Sequence, residues 1–163
     1  MAACICWQTQ GCAGESTLST TKSTVVPIAE HMNFTEAFLS YGAKLANAQW
    51  AYSAEAPDGS IVLSCWAHRL KYSQGTLIYR DYMSRWNVNA PGKNLLKQHL
   101  SQAFEKKLAV RLVIATTNRP EVIDRGETAT GLENSFHAKP EAIGRVTAYD
   151  GENFEVVFAK SGA

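Results

Sequence analysis

Two turn signals constrain this chain more than any other feature. Pro57-Asp58-Gly59-Ser60 separates the β-prone runs 49–54 and 61–68, and Asp150-Gly151 separates 144–149 from 153–158. Proline presets φ, aspartate bonds to the backbone just after it, and glycine supplies positive φ, so each signal predicts a hairpin. Asp-Gly between alternating apolar residues predicts a type I′ turn, with positive φ at both central positions. A chain that folds through two hairpins must build its sheet largely from antiparallel strands.

The segments around these hairpins carry helical and strand periodicities. Phe34, Ala37, Phe38, Tyr41, Leu45 and Ala48 recur at three- and four-residue spacing, predicting a helix over 34–47. Asn33 followed by Glu36 fits a capping box at its start. Leu96, Leu100, Ala103 and Phe104 form the apolar stripe of a second helix, 92–107, opened by Pro91 and closed by Lys106 and Lys107 at the negative end of its dipole. The run 108–115 reads as a central strand buried on both faces. A short strand at 76–80 is expected to pair with the run 61–68.

Residues 116–142 have no long period and read as a loop with helical turns at 120–124 and 140–143; a loop of this length is usually functional or disordered. The resulting class is α+β, with an antiparallel-rich curved sheet or partly open barrel of about five to six strands and two main helices.

Residues 1–31 differ from the rest. Seven serines and threonines crowd 16–24, with little apolar periodicity, so the segment buries too little surface to offset its ordering entropy. It reads as a poorly ordered leader to a single domain over 32–163, a length that suits one core when 45% of residues are hydrophobic. Cys4, Cys6 and Cys12 lie in this leader, and with His31 they offer a zinc ligand set. Their spacing does not match an ordinary knuckle. Cys65, inside an apolar run, reads as a reduced core thiol.

A formal net charge of +1 argues against a surface built wholly for nucleic acid or an anionic membrane. No run approaches the roughly 20 apolar residues of a membrane span, and the start lacks a secretory pattern, so the expected compartment is the cytoplasm.

Chemistry-bearing residues cluster between Trp66 and Lys97. His68, Arg69, Lys71, Arg80 and Arg85 interleave there with Trp66, Tyr79, Tyr82 and Trp86, and Asp81 is the lone acid. Basic side chains track phosphates and flat rings stack on bases, which suits nucleic acid or another phosphate-bearing ligand. The same composition also suits core aromatics with arginines paired to acids such as Glu121, Asp124, Glu127 and Glu133.

His137 joins the candidates through a second reading, a small-molecule or enzyme pocket of Trp66, His68, Asp124 and His137 under the long loop. A third reading is a homo-oligomer or protein-interaction domain using Trp86 and exposed tyrosines. Cys65 and His68 diverge in a regular strand, so no Cys/His nucleophile is expected. The acids form no paired constellation, and neither a phosphate-binding glycine loop nor a dinucleotide fingerprint is present, so no cofactor is expected.

Trp66-Ala67-His68-Arg69, Pro91-Gly92-Lys93-Asn94, Arg111-Leu112-Val113-Ile114-Ala115 and Gly144-Arg145-Val146 with Asp150-Gly151 together resemble small uncharacterised bacterial proteins, some encoded on mobile gene cassettes. The resemblance covers most of the domain, excludes the leader and implies no catalytic residues.

Overall fold

Alternation along a single strand organises the molecule. In the computed structural model, which describes residues 32–85 and 90–160, β2 (Ile61–Trp66) is buried on both faces for most of its length. Ile61, Leu63 and Cys65 join one core cluster, with Leu96 and Leu100 of α2 (Ala90–Glu105). Val62 joins a second cluster with Ala37 and Phe38 of α1 (Phe34–Leu39). The side-chain period of two thus gives the sheet two covered faces, one under each helix.

The remaining strands are β1 (Ser53–Glu55), β3 (Leu70–Ser73), β4 (Thr76–Tyr82), β5 (Val110–Thr117), β6 (Asn134–Tyr149) and β7 (Asn153–Lys160). Among the described residues they form one open seven-stranded sheet in the order β1-β2-β5-β6-β7-β4-β3. The class is α+β with an antiparallel-rich, unclosed sheet, as expected, and its seven strands slightly exceed the predicted five to six.

The sheet is also mixed. β5 lies parallel to β2, with Ile61 opposite Val110 and Trp66 opposite Ala115, whereas every other pairing is antiparallel. β4 was expected beside β2 and instead pairs with β3 and β7. The β3–β4 turn explains this: Gln74 and Gly75 both adopt positive φ, 47° and 81°, the type I′ geometry that closes a two-residue hairpin directly onto β3.

The predicted helix over 34–47 stops at Leu39. Its capping box forms as read, with Asn33 Oδ1 accepting from the Glu36 amide at 2.9 Å and Glu36 Oε2 accepting from the Asn33 amide at 2.8 Å. The stop is Gly42 at φ +73°. Beyond it the Ala43 amide donates back to the Phe38 carbonyl at 3.2 Å, a Schellman closure.

At the second predicted hairpin, Gly151 alone takes positive φ, 92°. The connection is a three-residue loop in which Asp150 Oδ1 accepts from the amides of Glu152 and Asn153 at 2.9 and 2.6 Å.

The supposed loop 116–142 is mostly structured, since it holds α3 (Pro120–Asp124) and the first half of β6. β6 first pairs with β5 and then swings onto β7, with a register break after Arg111. At that break the Tyr41 hydroxyl donates to the Leu112 carbonyl at 2.8 Å and accepts from the Lys139 amide at 2.9 Å, satisfying groups the ladder leaves over. Burial pushes this phenol up to about 12.

The leader with Cys4, Cys6, Cys12 and His31, and Trp86, lie outside the described residues. Among the described residues no helix is long and apolar enough to cross a membrane.

Candidate functional site

The arginines and rings between Trp66 and Arg85 do not share one surface. Asp81, on β4, gathers three of them, Arg69, Tyr79 and Arg85. Its fully buried carboxylate accepts from Arg85 Nε at 2.8 Å and binds Arg85 Nη2 as well. The Tyr79 hydroxyl donates to it at 2.8 Å and Arg69 Nη1 at 3.3 Å.

Burial alone would push the Arg85 guanidinium down, but the hydrogen bonds and charge of Asp81 more than offset this and hold it above its ordinary value. The Tyr79 hydroxyl is pushed well up by burial and by the neighbouring Asp81 charge.

The network continues outward. Asp124, at the end of α3, accepts from Arg69 Nε at 2.9 Å and lies 3.0 Å from His68 Nε2. Partial burial would raise this carboxyl, and the His68 and Arg69 hydrogen bonds outweigh it and hold it low. Arg85 Nη1 also donates to the Ile123 carbonyl at 3.2 Å, so α3 is tied to β4 and to the 3₁₀ turn Ala67–Arg69 by one ionic cluster.

His68 sits in that turn, not on the strand face it was expected to share with Trp66. Arg80 is exposed and pairs with Glu155 across the β4–β7 ladder. Lys71 is exposed on the edge strand β3, and Tyr82 is 39% exposed with the Arg69 guanidinium carbon 5.9 Å from its ring centroid.

Trp66 goes elsewhere. It follows Val62 and Ser64 onto the α1 face of β2, where a cavity of about 270 Å³ opens at the end of the sheet. Phe34 from α1, Tyr52 from the approach to β1, Trp66 from β2 and Phe136 from β6 supply its rings. Phe34 and Phe136 touch, with centroids 5.0 Å apart.

Gly126, Glu127, Thr128, Ala129 and Thr130, between α3 and β6, form the opposite wall. This is the long segment expected to cover a pocket. Of the four residues expected in such a pocket, only Trp66 lines the cavity. His68 and Asp124 pair with each other beside it, and His137, half-buried opposite Ile114, follows Phe136 and so points to the other face of β6.

Sequence reasoning missed Phe34, Tyr52, Ser64, Asn134 and Phe136 as lining residues. The parity of β2 could have found Ser64, which shares a face with Trp66. The others depend on which strands neighbour β2.

The Asn134 carboxamide combines two features. Its Nδ2 donates to the Ala129 carbonyl at 3.2 Å, which fixes the orientation of the amide. Its Oδ1 is the one side-chain polar atom among the described residues that is buried without a partner. An acceptor closed off in this way costs roughly 1–3 kcal/mol until a donor meets it.

A second, shallower concavity of about 740 Å³ lies on the α2 side, bordered by Arg69, Arg80, Tyr82 and Phe104. Asp81, Asp150 and Glu155 line it too, so its three acids outnumber its two arginines.

A serine–histidine pair lies within the fold, with Ser53 Oγ and His99 Nδ1 2.8 Å apart and both residues buried. Neither residue lines either cavity. Burial pushes the His99 imidazole below its ordinary 6.5, partly opposed by the charge of Glu55.

The unfolded chain therefore takes up a proton near pH 6.5 that the folded state resists. The stability contributed by neutral His99 is complete above that pH and is lost as the solution is acidified below it, at up to about 1.4 kcal/mol per pH unit. Urea unfolding at pH 7.5 and 5.5 should show this loss (about two pH units apart), and His99→Gln should remove that part of the slope. An unchanged slope in the variant would refute the assignment.

Cys65 is fully buried, and burial followed by the Asp81 charge pushes its thiol well up, which makes it an inert core residue. Among the described residues no group of three or more histidine, cysteine or acidic side chains is placed to hold a metal ion.

No protein-family model, curated protein or solved structure matches the chain. The geometry of the two concavities therefore carries the functional argument.

Proposed function

We propose that this chain is a small-molecule-binding domain whose ligand sits between the α1 face of the sheet and the 126–130 segment. One observation carries the reading: four aromatic side chains from separate elements converge on one concavity. Ligand sites are typically concave, largely apolar and equipped with a few polar groups, and this cavity lies near the low end of their usual size. Its lining contains neither histidine nor cysteine, and its one carboxylate, Glu127, is paired with Arg125, so the arrangement supports binding in preference to nucleophilic or acid–base chemistry.

The alternative, a surface for nucleic acid or another phosphate-bearing ligand, draws less support. Arg69, Arg80 and Arg85 each face a carboxylate, and a phosphate would have to displace those partners. Exposed Lys71 and Tyr82 stay available to that reading.

A screen of small soluble compounds by thermal shift, followed by calorimetry on wild type and Trp66→Ala, tests the proposal. Removing one stacking wall should weaken a true occupant about 10-fold or more, since 1.4 kcal/mol is a factor of ten. Ligands that bind Trp66→Ala as tightly as wild type would place the site elsewhere. Salt-sensitive oligonucleotide binding with no compound hit would favour the phosphate reading.

A further inference from the structure

The charges and the unpaired acceptor around this cavity specify what kind of molecule suits it. We infer that the occupant is a neutral, flat, ring-containing compound carrying an N–H or O–H donor, held between the aromatic walls with its donor turned to the Asn134 side-chain oxygen. The inference rests on the cavity being a ligand site and adds the chemical class.

Three observations carry it. The rings of Phe34, Tyr52, Trp66 and Phe136 offer faces and edges that reward a planar partner with offset or edge-to-face contacts. The two ionic side chains in the lining are both engaged: Arg85 by buried Asp81, and Glu127 by Arg125 at 2.6 Å. A charged ligand would give up its hydration and find no uncommitted counter-charge, a cost that a neutral one avoids.

The third is Asn134. With one Nδ2 hydrogen committed to Ala129, the amide cannot turn over without breaking that bond, and the side chain keeps its oxygen to offer. A ligand donor that reaches that oxygen while the Ala129 bond is kept supplies the bond that the folded protein alone leaves unmade. A flat ligand lacking the donor would gain the stacking without this bond.

Four test compounds separate these elements: indole, which is neutral, flat and has an N–H; N-methylindole, which lacks the donor; indole-3-carboxylate, which adds a charge; and cyclohexanol, which has a donor and no flat ring. Calorimetry on the full chain should give indole a Kd of about 1 mM or tighter. N-methylindole should bind roughly 5-fold more weakly, the scale of one net hydrogen bond. The carboxylate and cyclohexanol should bind at least about 10-fold more weakly than indole. Asn134→Leu should abolish the difference between indole and its N-methyl form.

The wild-type ranking decides the matter if that variant fails to fold. Tighter binding of the carboxylate or of cyclohexanol, lost in Trp66→Ala, would overturn the chemical class while leaving the cavity as the binding site. Equal binding of indole and N-methylindole would overturn the donor. Silence from all four overturns this class. If the wider screen is silent as well, the small-molecule reading falls with it.

Discussion

Asp81→Asn is expected to lower the unfolding free energy by about 3–5 kcal/mol, the range for breaking a buried ion pair by removing one partner. The loss arises less from the missing attraction than from what is left behind. The Arg85 side chain is 4% exposed, so its charge would lose its contacting counter-ion, and the amide group that replaces one carboxylate oxygen would deprive either the Tyr79 hydroxyl, on Oδ2, or Arg69, on Oδ1, of its acceptor.

Urea unfolding followed by circular dichroism would measure the change, and a loss under about 1 kcal/mol would show that the cluster is not buried as described. Asp81→Asn combined with Arg85→Met should recover much of the deficit, because the pair then goes as a unit.

Gly126→Ala is expected to cost about 2–4 kcal/mol and to weaken any cavity ligand by about 10-fold or more. Two effects add. The residue adopts φ +74°, which costs an L side chain about 1–2 kcal/mol. A Cβ there would also lie 2.2 Å from the Arg85 carbonyl oxygen, so backbone must move.

The segment that moves is the cavity wall that begins at Gly126. Gly131→Ala is the internal control, since that residue has φ +81° with open space around it and should show the conformational cost alone. Equal losses in the two variants, read by thermal unfolding, would mean that the close approach to Arg85 does not constrain the wall.

What could be read from the chain beforehand depended on whether the signal was local. The Asn33/Glu36 box, the Pro57-Asp58-Gly59 turn and the α2 stripe are local signals, and each appears where expected except at Phe104, which the stripe included and which is 40% exposed. The end of α1 was misplaced because Tyr41 and Leu45 continue the apolar period. Gly42 nevertheless halts the helix, and both side chains still pack against the α1-side core.

β6 was hidden by Pro140, which ordinarily argues against an interior strand. It is tolerated because residues 139–142 fall in the break of the β5 ladder, where no amide of proline is missed. The parallel pairing of β2 with β5 joins residues about fifty apart in the chain, and no short motif announces it.

The candidate site was legible in the same uneven way. Trp66 and the covering role of the long segment came from composition and length. The arginines were singled out for their density, yet that density reflects carboxylates brought to them by the fold. Asp124 reaches Arg69 from 55 residues away and Glu155 reaches Arg80 from 75. Whether a cation is available or already neutralised is a property of tertiary partners, which spacing along the chain does not encode.

The swing of β6 from one neighbour to the other has a mechanical consequence. Its first residues border the cavity through Asn134 and Phe136, and its last, through Val146, belong to the core beneath α2. The two compartments of the protein therefore hang on a common beam, pinned at its bend by a single phenolic oxygen from Tyr41. Neither compartment can loosen far without pulling on the other.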